Sequence, residues 1–141
     1  MILVKRNKTI LLTCLVLSLI IYSSGCSNNQ TQNSCAKPKA IKLDTDGKDY
    51  LNILGGPPES IKMRAGLVVL QPNKTVGKHS TEKYEELIVV LEGKGEMIIN
   101  NSEKMEMESG YAYYCPPNTE HDIANTDSTQ LRYIYVVSKT E

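Results

Sequence analysis

The chain has 141 residues and carries 16 basic and 16 acidic side chains, a formal net charge of zero. That length suits one domain beyond any targeting segment. The balanced charge offers no basic stripe for nucleic acid and no acidic run of the kind that makes a disordered tail.

Lys5, Arg6 and Lys8 open the chain with positive charge, and an apolar stretch runs from Ile10 to Tyr22. The stretch is shorter than the roughly 20 residues a spanning helix needs and has the make-up of a signal-peptide core. Residues 1–25 are therefore expected to direct export. Ser23-Ser24-Gly25-Cys26 follows, two small residues and a glycine before a cysteine. The pattern resembles the lipobox of prokaryotic lipoproteins, with Ser23 where Leu is more usual. Cys26 is then the expected lipidation site, and its lipid the only contact with a membrane. An uncleaved anchor or ordinary secretion are the alternatives, and each also places the domain outside the cytoplasm. Residues 26–40, rich in Asn, Gln, Ser and Thr, read as a flexible linker. That leaves 41–141 as the domain. Export permits disulfides, so Cys35 and Cys115 either bridge linker to domain or remain free thiols.

The domain is a succession of short β signals divided by turn residues. Gly55-Gly56-Pro57-Pro58 is a break, Ile61–Leu70 a strand, and Gln71-Pro72-Asn73-Lys74 a turn. Glu86–Glu92 is a β-branched run ended by Gly93-Lys94-Gly95, Glu96–Asn100 follows, and Asn100-Asn101 signals a tight turn. Lys104–Glu108, Tyr111–Cys115, His121–Ala124 and Leu131–Val137 complete the set. Short strands at this spacing with no helices between them predict an antiparallel barrel or sandwich. Leu87–Leu91 is apolar at every position, which implies burial on both faces. One face would line the barrel. The other would be covered by an N-terminal strand from residues 41–54 or by a second subunit, so a homodimer through sheet packing is expected.

His79 and His121 are the only histidines. His79 precedes Glu86, and six residues separate Glu86 from Gly93. Gly110, Pro116, His121 and Asn125 form a second spaced set, and 16 residues separate Gly93 from Gly110. Together these residues resemble the two motifs of the cupin superfamily, most closely the small single-domain conserved-barrel cupins, over about residues 61–137. The resemblance implies an all-β, double-stranded β-helix (jelly-roll) barrel. It also implies a pocket in which three histidines and a glutamate hold a metal. Two positions depart from the pattern. Asn118 replaces a motif glycine, which a turn of positive φ tolerates, and Thr81 replaces the second histidine of the first motif.

His79, Glu86 and His121 remain as the expected metal ligands. Two imidazoles and one carboxylate form a facial triad suited to Fe(II), Mn(II), Zn(II) or Ni(II), with positions left open. A metal-free pocket with polar histidines is the alternative. Thr81, sharing a face with His79, Glu82 and Tyr113 are expected to contact a small-molecule ligand. Alternating tyrosines at 111 and 113, and at 133 and 135, either line that pocket or fill the core in place of Phe and Trp. Two functions compete. One is a metal-dependent isomerase, epimerase or dioxygenase on a small polar molecule, with Glu82 or a tyrosine handling protons. The other is a non-catalytic module binding a small ligand or metal at the cell surface. A purely structural dimerisation platform is a third.

Overall fold

A computed structural model describes residues 36–140. The expected signal segment, Cys26, Cys35 and the linker up to residue 35 lie outside the described residues, and with them the lipidation and disulfide expectations.

Nine strands form: β1 (Tyr50–Leu54), β2 (Met63–Leu70), β3 (His79–Ser80), β4 (Tyr84–Glu92), β5 (Lys94–Ile99), β6 (Glu103–Glu108), β7 (Ala112–Cys115), β8 (Glu120–Ala124) and β9 (Leu131–Lys139). Among the described residues there is no helix. The strands make a five-stranded sheet ordered β1-β2-β9-β4-β7 and a four-stranded sheet ordered β3-β8-β5-β6. Every pairing is antiparallel.

Alternation along the strands turns one face of each sheet toward a shared interior. The larger sheet sends in Ile88, Val90, Tyr113, Leu131 and Tyr133, and the smaller sends in Met97, Met107 and Ile123. Each fully buried aliphatic side chain of this kind stabilises the fold by about 1.5–3 kcal/mol. Turn chemistry sets the strand ends. Asn100 and Asn101 both have positive φ, at 48° and 64°, and the Ser102 amide donates to the Ile99 carbonyl at 3.1 Å to close the β5–β6 hairpin. Gly93 sits at φ 80°, where a Cβ would come within 2.2 Å of the Gln130 carbonyl oxygen, so only glycine fits between β4 and β5.

Two expectations are corrected. The N-terminal strand does not cover the outer face of β4: β1 pairs edge-on with β2 instead, and Leu87 keeps 43% of its surface exposed. Burial along β4 alternates, so the unbroken apolar run does not mean burial on both faces within one chain. The tyrosines also divide differently. Tyr113 is buried, and its hydroxyl accepts from the Glu108 amide at 3.0 Å, while Tyr111 and Tyr114 are exposed.

Candidate metal centre

The interior opens at one end into a cavity of ≈ 690 Å³ lined by residues of β2, β3, β4, β8 and β9. β3 pairs with β8 so that His79 lies opposite His121, their ring centroids 4.4 Å apart. Glu86 enters from β4 in the facing sheet and places its Oε2 3.3 Å from His121 Nε2. Each of the three offers a ligand atom, and these atoms lie within 4.8 Å of one another.

The three residues differ in how they are held. His79 is exposed, and its Nδ1 meets the Gly77 carbonyl at 2.9 Å. A carbonyl only accepts, so Nδ1 carries the proton and Nε2 keeps a free lone pair. The Gly77 amide in turn donates to the Asp122 carboxylate at 3.0 Å, with Gly77 at φ 95°, a conformation that favours glycine. Asp122, next to His121 on β8, thereby anchors the loop that aims His79.

His121 is only 1% exposed, yet neither ring nitrogen has a hydrogen-bond partner. The 3.3 Å contact with Glu86 is one of charge without hydrogen-bond alignment. A buried imidazole left unpaired costs free energy comparable to a lost hydrogen bond. A cation between His121, Glu86 and His79 would satisfy it, so the residues present fit a metal.

Burial works against protonating His121, but the adjacent Glu86 carboxylate and the Thr119 carbonyl outweigh it and raise the pKa above the ordinary histidine value. Since the folded pKa exceeds the unfolded one, the charged His121–Glu86 pair stabilises the metal-free protein fully below about pH 6.5. That stabilisation fades as pH rises through the folded pKa. Ligation needs the neutral ring and competes for the same site. The rise in melting temperature produced by added Zn(II) is therefore expected to shrink on acidification, starting above the pH at which an ordinary histidine titrates. A metal-induced rise unaffected by pH between about 5 and 8 would contradict this coupling.

Thr81 lines the cavity and is 6% exposed. Its hydroxyl donates to the Pro116 carbonyl at 2.8 Å and accepts from the Thr119 amide at 2.9 Å. It therefore ties the β3–β4 connection to the β7–β8 loop, where Asn118 has φ 60°. Glu82 stands outside the cavity lining, exposed at φ 49°, and Tyr113 lines a separate depression with Tyr111 and Glu106. The phenols of the main cavity are Tyr84, Tyr133, Tyr135 and Tyr50. Burial, then the Glu86 charge, pushes the Tyr133 pKa up. Burial and the 3.0 Å contact with the Tyr50 hydroxyl do the same for Tyr135. Both stay neutral donors. Cys115 lies opposite Glu86 in register, and burial followed by the Glu86 charge pushes its thiol up to about 11. It stays protonated, with its Sγ 3.5 Å from Met97 Sδ.

Sequence reasoning missed the Asp122–Gly77 tie, because no spacing rule links residues 45 apart across a loop. If Asp122 positions His79, Asp122→Ala weakens metal affinity by roughly 10–100-fold, the usual effect of losing a group that orients a ligand. Asp122→Asn, which keeps an acceptor oxygen, should recover most of the loss. Competition with a chromophoric chelator checks both, and unchanged affinity in the alanine variant would remove Asp122 from the site.

The family described as "Cupin domain" matches residues 66–137. The chain belongs to the cupin superfamily and has its double-stranded β-helix fold. No curated protein matches the sequence. Among solved structures, the cupin domain of Schizosaccharomyces pombe Cnp3 is 17% identical with TM-score 0.58, over 64% of this chain and 63% of that one. A Cupin 2 conserved barrel domain protein from Salinispora arenicola is 16% identical with TM-score 0.63, over 74% of this chain and 92% of that one. A predicted oxalate decarboxylase from Thermotoga maritima is 25% identical with TM-score 0.51, over 54% of this chain and 65% of that one. The chain thus spans less than two thirds of the Schizosaccharomyces and Thermotoga chains.

Proposed function

We propose that this protein is an exported, lipid-anchored cupin in which His79, Glu86 and His121 hold one divalent transition metal, Fe, Mn, Zn or Ni. It acts on or binds a small polar molecule in the cavity above them. The observation that carries the reading is the buried His121, unpaired at both nitrogens and converging with Glu86 and His79. A bound ion of this kind polarises an oxygen placed on it. The chain supplies the rest: Val68, Leu70 and Ile123 exclude water along one wall, and the neutral Tyr133 and Tyr135 phenols lie ready to hydrogen-bond a ligand. With Glu82 outside the cavity, Tyr135 is the residue placed to hold a proton near the ligand.

An isomerase or dioxygenase and a non-catalytic binding module use the same cavity. Likeness to the Thermotoga protein, whose name is that of an enzyme on a small acid, supports the enzymatic reading. The test is elemental analysis of the full chain purified after expression in media supplemented with each metal in turn. About one equivalent of one metal is expected, and its absence throughout would sink the proposal. Turnover of a stabilising ligand then separates enzyme from binding module.

Export and anchoring rest on residues 1–26. Mass spectrometry of membrane-extracted protein should find a lipid-bearing N-terminal Cys26, and an unmodified peptide running through Cys26 would exclude it. Leu87 and Tyr114, exposed side by side on the outer sheet face, support a homodimer through that face. Light scattering returning only the monomer mass would rule it out.

A further inference from the structure

The charges lining the cavity do not cancel locally. Its two carboxylates have partners: Asp49 accepts from the Gln71 side chain at 3.3 Å, and Glu86 stands against His121. Its two cations, Arg64 and Lys74, form no ion pair among the described residues. Arg64 is the better placed of the two. Arg64, Val137 and Glu86 stand in one cross-strand row running from β2 through β9 to β4, and all three line the cavity. Two strand spacings put the Arg64 and Glu86 backbones roughly 10 Å apart. In the next inward-facing row stand Gly66, Tyr135 and Ile88. Tyr135 thus stands on the strand between theirs, one inward-facing row along, with its hydroxyl on that of Tyr50. Gly56 leaves room for the guanidinium, for a Cβ there would lie 3.0 Å from Arg64 Nε.

We propose that Arg64 is the carboxylate-binding residue of this cavity and that the ligand is a short organic acid. One end is held by Arg64, and an oxygen at the other end faces His79, Glu86 and His121. This assignment of ligand class rests on the metal reading above. A guanidinium presents parallel donors that fit a carboxylate bidentately, and the Tyr50–Tyr135 phenols sit beside it to donate. The aliphatic wall of Val68, Leu70, Val76 and Ile123 suits a carbon chain, which favours an organic acid over a bare inorganic oxyanion. Lys74 at the rim adds attraction for an anion at a distance.

Calorimetric titration of the full chain in detergent, metal-free and Co(II)-loaded, tests this with malonate, succinate and glutarate. Succinamide and inorganic phosphate are the comparators. At least one acid should bind about tenfold or more tighter than either comparator. Arg64→Gln should weaken that binding by roughly 10-fold or more, as loss of a charge-assisted hydrogen bond does. Arg64→Lys should recover only part, and cobalt uptake should be unchanged in both. Equal acid binding by wild type and Arg64→Gln, no acid binding, or phosphate binding as tight as any acid would overturn the proposal. Arg64-dependent acid binding without cobalt uptake would uphold the carboxylate subsite and overturn the metal reading instead.

Discussion

His121→Ala is expected to abolish stoichiometric metal binding. Where a full cupin site can lose one of four ligands, this chain has three candidates, and His121 is the more deeply buried of its two histidines. Loss of a direct ligand should exceed the roughly 100-fold that upper-range losses of ligand-orienting groups cause. The effect on stability follows by mass action. A metal held at about 100 times its dissociation constant stabilises the wild type by about 2.7 kcal/mol, which is roughly 10–20 degrees for a domain near 100 residues. The variant should show no such rise. Its metal-free form should lose a further 1–3 kcal/mol or so, because Glu86, 7% exposed, is left buried without its cationic neighbour. Elemental analysis and melting curves with and without Zn(II) check both parts. One equivalent of metal retained in His121→Ala would place the ion elsewhere.

Asn125→Ala is expected to unfold more of the barrel than any other single polar substitution, while leaving the candidate metal ligands in place. Asn125 is 2% exposed. Its amide donates to the Leu70 and Thr129 carbonyls, both at 2.8 Å, and its carbonyl oxygen accepts from the Asp127 amide at 2.9 Å. One side chain thus joins the end of β2 to the β8–β9 loop. Alanine strands three backbone groups and should cost about 2–5 kcal/mol. Asn125→Asp should cost at least as much, because it turns a carboxylate oxygen toward the Leu70 and Thr129 carbonyls in a buried site. Urea unfolding measures the shift, and a change under about 0.5 kcal/mol would show that water replaces the lost bonds. Asn125 thus closes the second motif through backbone hydrogen bonds, although it stands in the same pattern as the candidate ligand His121.

Residues whose role depends on backbone conformation or strand alternation were the most legible in the sequence. Asn118 adopts the positive φ expected of a glycine substitute, Asn100-Asn101 makes the turn, and Glu86 faces inward beside the exposed Leu87. Each follows from local sterics or from period two. Long-range placement was less legible. Glu82 is one residue from Thr81, but a left-handed turn there takes it out of the cavity. Tyr113 and Tyr133 alternate alike on their strands, yet only Tyr133 reaches the cavity, because β7 and β9 sit at different places in the sheet. The pairing of Arg64 with the row of Glu86 requires knowing that β9 lies between β2 and β4, an order that chain sequence hides. The apolar β4 run reflects two demands, an inner core and an outer face that one chain leaves partly open.

Thr81 bears on any attempt to engineer the centre. A histidine at that position would not simply add a donor, because the hydroxyl it replaces ties two loops together across the mouth of the barrel. The Pro116 carbonyl and Thr119 amide would need new partners, and His121 lies just two residues beyond Thr119. Gaining a further candidate ligand there would loosen the mounting of His121. The three-ligand set and the threonine clasp are thus mechanically linked, and redesign of this centre must treat the two loops as a single part.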